Sequence, residues 1–364
     1  MRQLVEHQYI DRETGAVCTE RLYADWMLNT LYLSAWEKVP ALYRLLTSAR
    51  FSRVLGLFCY DSPLGARLSG NRRFLRSCRV AIEECLDPPD RLDTARKIFE
   101  RRIRYWKCRP LPDNPRAVVS PADARVLVGS FRDTSSLFLK EKFFGAGELL
   151  DSNKPIWVNT FVKGDFAIFR LTPDKYHYNH VPVAGLVCDT YEIPGEYHSC
   201  NPGVVEAISS SYAKNKRVVT LLNTDVEGGS GVGFVAMIEI VALMIGDIVQ
   251  CYSEECYEAP CAAARGRFLK CGQPKSLYRP GSSTTVLLFQ PDRVRFADDL
   301  VANQHRAGVC SRFSQGLGRS LVETDVKVRS LLAWPVSGSS RPALRPWYAQ
   351  IARVLPQPIA ARGL

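Results

Sequence analysis

The sequence predicts an α+β protein in which a helical N-terminal region precedes a mainly β domain. Three observations lead there. Apolar residues recur at helical spacing in the first third, short β-branched runs separated by turn residues fill the middle, and a Pro-rich segment from Pro110 to Pro115 divides the two textures. The length of 364 residues, with 46% hydrophobic and 23% charged residues, allows one large domain or two smaller ones.

In chain order, Asp25 to Leu57 reads as helical, with Trp26, Leu28, Leu31, Tyr32, Ala35, Trp36, Val39, Leu42 and Tyr43 at helical spacing and a break before Pro40. Arg44, Arg50 and Arg53 follow on its later turns, so the helix either packs with a solvated basic face or lies on an anionic membrane. A second helical stretch, Asp93 to Trp106, is rich in Arg and Lys. Strands are expected over Ala124–Val128, Ile156–Val162, Phe166–Leu171, Val183–Cys188, Val218–Leu222, Phe234–Met244 and Thr284–Phe289. The segment from Leu332 on is rich in Pro, Ser, Arg and Ala and reads as a disordered tail. The expected organisation is therefore a basic helical region over 1–115, a mainly β domain over 116–331 and a tail over 332–364.

Charge narrows the partners. The net charge is +11, and residues 1–116 hold 21 basic against 14 acidic side chains, a surplus of seven. An anionic partner follows, whether nucleic acid, bilayer or phosphorylated substrate. The longest apolar stretch, Gly231 to Ile248, contains Glu239, Asp247 and several glycines, which argues against a membrane span. The N-terminus has no apolar core of signal-peptide type, so a cytoplasmic address is expected. The twelve cysteines include no CxxC pair, and Cys251, Cys256 and Cys261 fit no common zinc spacing, so no metal is expected.

Three segments carry chemistry. Of five histidines, two fall in Tyr176-His177-Tyr178-Asn179-His180-Val181-Pro182. Asp123 sits in the turn Ser120-Pro121-Ala122-Asp123, where an Asx turn is the bland reading. Gly281-Ser282-Ser283-Thr284-Thr285 places a hydroxyl-rich turn just before an apolar strand. Singly, each is more often structure than function. Together they supply Asp, His and Ser, the groups that activate a hydroxyl as a nucleophile.

These segments, in this order, resemble the signature elements of the phosphatidylserine decarboxylase family: an aspartate in an S-P-A-D turn, tandem histidines in Y-H-x-x-H-x-P, and a G-S-T turn running into an apolar strand. The resemblance spans roughly 115–330 and touches Tyr191-Glu192-Ile193-Pro194-Gly195, Asn215-Lys216-Arg217-Val218 and the opening Gln8 to Gly15. It implies a carboxy-lyase made as a proenzyme, with the β domain catalytic. Asp123 and His180 then correspond to a charge-relay pair, Ser283 to the nucleophile that is consumed, and His177 to the histidine of the decarboxylation step. His180 would take the proton of Ser283 so that its oxygen attacks the carbonyl of Ser282. The resulting ester eliminates, and one water releases ammonia and leaves a covalent pyruvoyl (pyruvate) group on the smaller, C-terminal fragment. That carbonyl condenses with a substrate amine and accepts electrons as CO₂ leaves, so no external cofactor is needed.

Two departures stand out. The family's turn usually carries glycine directly before the nucleophile, whereas Ser282 stands there, so cleavage falls either between Ser282 and Ser283 or between Gly281 and Ser282. The six-residue spacing from Ser283 to Phe289 favours the first. Ala124 replaces the glycine that commonly follows the aspartate. The implied partners are phosphatidylserine, an anionic membrane surface touched peripherally and the chain's own two fragments, with a homodimer allowed and no nucleic acid. A soluble pyruvoyl-dependent aromatic amino-acid decarboxylase and an unprocessed, non-catalytic anionic-surface module are the alternatives. A Ser hydrolase lacks its G-x-S-x-G elbow here, and Gly229-Ser230-Gly231-Val232-Gly233 lacks the strand-to-helix setting of a dinucleotide loop.

Overall fold

The computed structural model of the chain describes residues 6–20, 60–132, 146–196, 211–242, 247–280, 283–314 and 320–336. The helix expected over Asp25 to Leu57, residues Gly281 and Ser282 of the hydroxyl-rich turn, and the tail from residue 337 lie outside these residues.

The β-branched runs assemble, among the described residues, into one ten-stranded sheet. In spatial order its strands are Phe268–Leu269, Gly185–Ile193, Arg217–Asn223, Phe234–Val241, Ser283–Phe289, Asp165–Leu171, Ala124–Ser130, Glu323–Val326, Gln8–Asp11 and Val17–Thr19. Pairing is antiparallel throughout, except that Gln8–Asp11 runs parallel to Glu323–Val326. Among the described residues helices are few and short beside this sheet, and the fold is α+β with β dominant.

The strand Ser283–Phe289 is central and buried along its whole length. Ser283 pairs with Leu171 on one side and Val241 on the other, and Phe289 with Asp165 and Val235. Both faces of the sheet are covered, which is why the strand reads as a continuous apolar run. Val286 and Leu288 pack with Leu127, Ile168 and Ile238 on one face, and Leu287 and Phe289 with Phe169, Val181 and Tyr278 on the other. Successive strand side chains point to opposite faces. Ser283 and Thr285 are therefore directed to the face of Leu287 and Phe289. On that face lies a three-stranded sheet of Ile248–Gln250, Pro274–Tyr278 and Tyr178–His180, the last of which carries the histidine segment.

Three local expectations are corrected. Ile156–Val162 is not a strand but part of a helix, Pro155–Phe161. Proline at its first position starts a helix readily, and the buried residues Trp157, Thr160 and Phe161 have helical spacing despite the β-branched composition. The single helix read over Asp93 to Trp106 is two short ones, Ala95–Phe99, capped by the Thr94 side chain, and Tyr105–Cys108. Leu331–Pro335 is a strand between Val294–Phe296 and Val118–Val119, with Leu332 and Ala333 buried, so the packed body runs past the start expected for the tail. Gly229 to Gly233 turns the chain between two sheet strands, and Gly231 and Gly233, at φ of +70° and +79°, take the left-handed conformation that glycine tolerates.

The N-terminal hairpin is fastened to the sheet by buried charge. Arg170 donates to Glu20 at 2.6 and 3.0 Å and to Glu323 at 2.5 and 2.9 Å, Arg125 pairs with Glu20, and His7 Nε2 lies 2.9 Å from Glu323. His7, Glu20 and Glu323 gather closely enough to hold a metal ion. The two guanidinium groups already balance both carboxylates, which makes the cluster a structural tie. Among the described residues, no helix is long and apolar enough to cross a membrane.

Candidate active site

Asp123, His177, His180 and Ser283 can each be placed. The turn holding Asp123 is bound by main-chain hydrogen bonds to the histidine segment: the His180 amide donates to Pro121 O at 2.7 Å and the Val119 amide to Pro182 O at 2.9 Å. The expected Asp123–His180 contact is not formed. Instead, Asp123 receives Arg109 Nε at 3.1 Å, Arg109 Nη2 at 2.9 Å and the Val328 amide at 2.7 Å. Burial alone would raise the Asp123 pKa, but the charge and hydrogen bonds of Arg109 and the Val328 amide hold it below the ordinary carboxylate value. Arg109 also grips Glu84 at 2.8 and 2.9 Å, so this carboxylate ties the residue 82–109 region to the sheet.

His180 is oriented by other groups. Its Nδ1 lies 2.9 Å from the Gly272 carbonyl oxygen, which can only accept, so Nδ1 carries the proton. Nε2 then accepts from the Tyr176 hydroxyl at 2.9 Å, and that hydroxyl is 2.7 Å from the hydroxyl of Tyr257. The Tyr105 ring meets the imidazole edge to face at 4.8 Å.

His177 differs in one respect. Its Nδ1 donates to Lys175 O at 2.8 Å, and its ring stacks on Phe99 with centroids 3.4 Å apart. Its Nε2 is buried and has no hydrogen-bond partner among the described residues. An orphaned buried acceptor of this kind calls for an explanation, and a catalytic role is one. Burial pushes the pKa of both histidines down to about 3, with the Arg101 charge adding to the effect at His177. Both are thus neutral imidazoles, and at His177 no described residue takes up the Nε2 lone pair.

This has a measurable consequence. The unfolded chain protonates its histidines near pH 6.5, whereas the fold keeps both neutral down to about pH 3. Their stabilising contribution is full above pH 6.5 and falls with pH, by about 1.4 kcal/mol per pH unit for each histidine. Asp165 and Asp325, whose carboxyls burial pushes up, act in the opposite sense toward the acid end. The urea midpoint is expected to drop between pH 6.5 and 4.5, and the slope to lessen in His177→Gln. A midpoint flat over that range would contradict neutral burial.

Ser283, only 1% exposed, starts the central strand and is directed to the histidine face. One residue joins the two segments: the Tyr278 amide donates to His177 O at 3.0 Å, and its hydroxyl donates to Thr284 O at 2.7 Å. Ser282 lies outside the described residues. Phe99, Tyr105, Arg109 and Tyr257 were missed by sequence reasoning, and Phe99 and Tyr105 belong to the stretch read only as a basic helix. Tyr176, by contrast, opens the Y-H-x-x-H segment itself, and its position four residues before His180 was the available signal.

Comparisons with known proteins identify the family. A family profile described as phosphatidylserine decarboxylase matches residues 95–315, beginning with the helix that carries Phe99. A protein of Chlamydia trachomatis serovar L2 named phosphatidylserine decarboxylase proenzyme is 30% identical over 321 residues, covering 86% of this chain and 97% of its own length. Proteins of the same name from Ruminiclostridium cellulolyticum and Fusobacterium nucleatum are 26% and 27% identical, each covering 81% of this chain and 91% of their own length. With more than half of the chain matched, from the Phe99 helix through the histidine face to the strand of Ser283, the chain belongs to the phosphatidylserine decarboxylase family of carboxy-lyases.

Proposed function

We propose that this chain converts phosphatidylserine to phosphatidylethanolamine and CO₂, using a pyruvoyl group made from Ser283 by self-cleavage after Ser282. The observation that carries the reading is the neutral, buried His177, whose Nε2 has no partner among the described residues and whose segment is joined through Tyr278 to the strand that Ser283 begins. The surroundings suit such a group. Ser283 is enclosed, and a fragment beginning there would stay anchored by ladder pairing with Leu171 and Val241. A bound pyruvoyl group supplies an electron-accepting carbonyl to the substrate amine, so that the carboxylate can leave as CO₂.

The chain's own residues supply binding and proton movement. His180, held by Gly272 O and Tyr176, is assigned as the base that removes the Ser283 proton in self-cleavage, its Nε2 taking that proton once the Tyr176 hydroxyl releases it. Asp123 acts at one remove: locked by Arg109, it fixes the turn whose Pro121 carbonyl holds the His180 amide. Neutral His177 accepts at Nε2 the proton that the substrate ammonium must lose, and returns it to the carbon from which CO₂ departed. The Phe99 stack holds the ring and keeps water away.

A peripheral, cytoplasmic-side membrane contact fits the surface of the residue 64–77 helices. Leu64 and Leu68 are 60% and 79% exposed, and Arg67, Arg72, Arg73 and Arg76 are exposed around them. Leucines inserting beside arginines match an interface of anionic lipid.

Intact mass under denaturing conditions tests the proposal. Two chains are expected, the smaller beginning at residue 283 with a blocked N-terminus, together with CO₂ release from phosphatidylserine vesicles. A single chain of 40.9 kDa after long incubation would sink the reading. Turnover of a free aromatic amino acid without lipid would replace the substrate.

A further inference from the structure

The assignment of Ser283 rests on its position and family. A separate set of buried polar groups next to it has no part in that assignment. Lys275 and Glu239 are each fully buried and form an ion pair at 2.7 Å, bridged by Gln250, whose Oε1 accepts from Lys275 at 2.9 Å and whose Nε2 donates to Glu239 at 3.0 Å. Glu239 also accepts from the Ser276 hydroxyl and, at 3.4 Å, from the Asn179 amide nitrogen. A carboxylate needs donors, so this pair sets which way the Asn179 amide points. Its oxygen is thereby turned to the Thr285 hydroxyl, which donates to it at 2.9 Å. The Tyr278 hydroxyl lies 2.9 Å from the same Thr285 oxygen, donates to Thr284 O and accepts from the Ile240 amide at 3.2 Å.

The location gives this network its meaning. Asn179 stands between His177 and His180, and Thr285 stands two residues after Ser283. Tyr278 and Thr284 bracket the turn that holds the peptide bond to be cut. Such a buried group of polar side chains is costly unless every member is satisfied, and a wholly apolar contact would close the same sheets together. A polar clasp adds direction: it fixes the register of the serine strand against the histidine strand.

We propose that Thr285, Asn179 and Tyr278, oriented by the buried Lys275–Glu239 pair, are positioning residues for self-cleavage, holding the strand that begins at Ser283 in fixed register with the histidine strand. The inference rests on Ser283 being the processed residue. Attack by a side chain on its own preceding carbonyl needs close alignment, and displacements of about 1 Å cost up to about a hundredfold in rate. The clasp meets that need through Tyr278, Thr284 and Thr285, residues on either side of the peptide bond to be cut.

The test is a pulse-chase of full-length proenzyme, following the fragment that starts at residue 283. Thr285→Val keeps shape and strand preference but removes the hydroxyl; its processing is expected to slow by about tenfold to a hundredfold, with the melting transition retained. Thr285→Ser, which restores the hydroxyl, is expected to process near the wild-type rate. A role in packing alone would not give this rescue. Wild-type processing speed in Thr285→Val would overturn the inference, and so would equal slowing in both variants. Should Thr285→Val fail to fold, Tyr278→Phe carries the decision with the same two outcomes. Wild-type protein that never cleaves would remove the Ser283 assignment itself, and the inference with it, a result distinct from normal cleavage in the variants.

Discussion

A Ser283→Ala chain is expected to stay a single polypeptide and to release no CO₂ from phosphatidylserine. The loss should be total on the scale of the assay, at least about 10⁶-fold, because the group that makes the reaction possible never forms. The fold should survive. Residue 283 contributes its main chain to pairing with Leu171 and Val241, and alanine occupies a buried strand position without a new polar demand. Near-wild-type melting separates this outcome from misfolding. The companion variant decides the register. Ser282→Ala should still cleave, since residue 282 supplies only a carbonyl, whereas cleavage between Gly281 and Ser282 would reverse the two results. Cleavage of Ser283→Ala at a normal rate would remove the assignment outright.

How much of this was legible beforehand follows from the range of each interaction. Local signals worked where burial on both faces produces long β-branched runs: Arg217–Asn223 and Ser283–Phe289 stand within a residue or two of their expected spans. They failed at Pro155–Phe161, where composition suggested a strand but the spacing of Trp157, Thr160 and Phe161 belongs to a helix. The Asp, His and Ser segments were visible as motifs, yet their partners were not. Asp123 meets Arg109, and His177 meets Phe99 from 78 residues earlier in the chain. Such contacts depend on how the sheets stack, and no periodicity reports that. The buried Lys275–Glu239 pair was likewise unreadable, because Lys275 and Glu239 look like ordinary surface charges until their strands are paired.

Replacing His177 with glutamine is expected to separate the two chemical events assigned to this face. In the proposed mechanism self-cleavage is assigned to His180 and not to His177, so the His177→Gln chain should still yield its two fragments. Decarboxylation should fall by about 10²- to 10⁴-fold, the usual worth of a positioned proton donor and acceptor. The loss should appear in kcat with KM little changed, since Nε2 moves a proton and does not bind the headgroup. Glutamine can still donate to Lys175 O and lie against Phe99, but it offers no basic nitrogen where Nε2 stands. The low histidine pKa sharpens the expectation. A histidine held near 3 by burial is a free base throughout the neutral range, so the acid limb of kcat should not show the usual break near 6.5. A variant that cleaves normally and turns over at the wild-type rate would show that the free lone pair of His177 has no part in the reaction. One that fails to cleave would instead move His177 into the processing step and exchange the roles given to the two histidines.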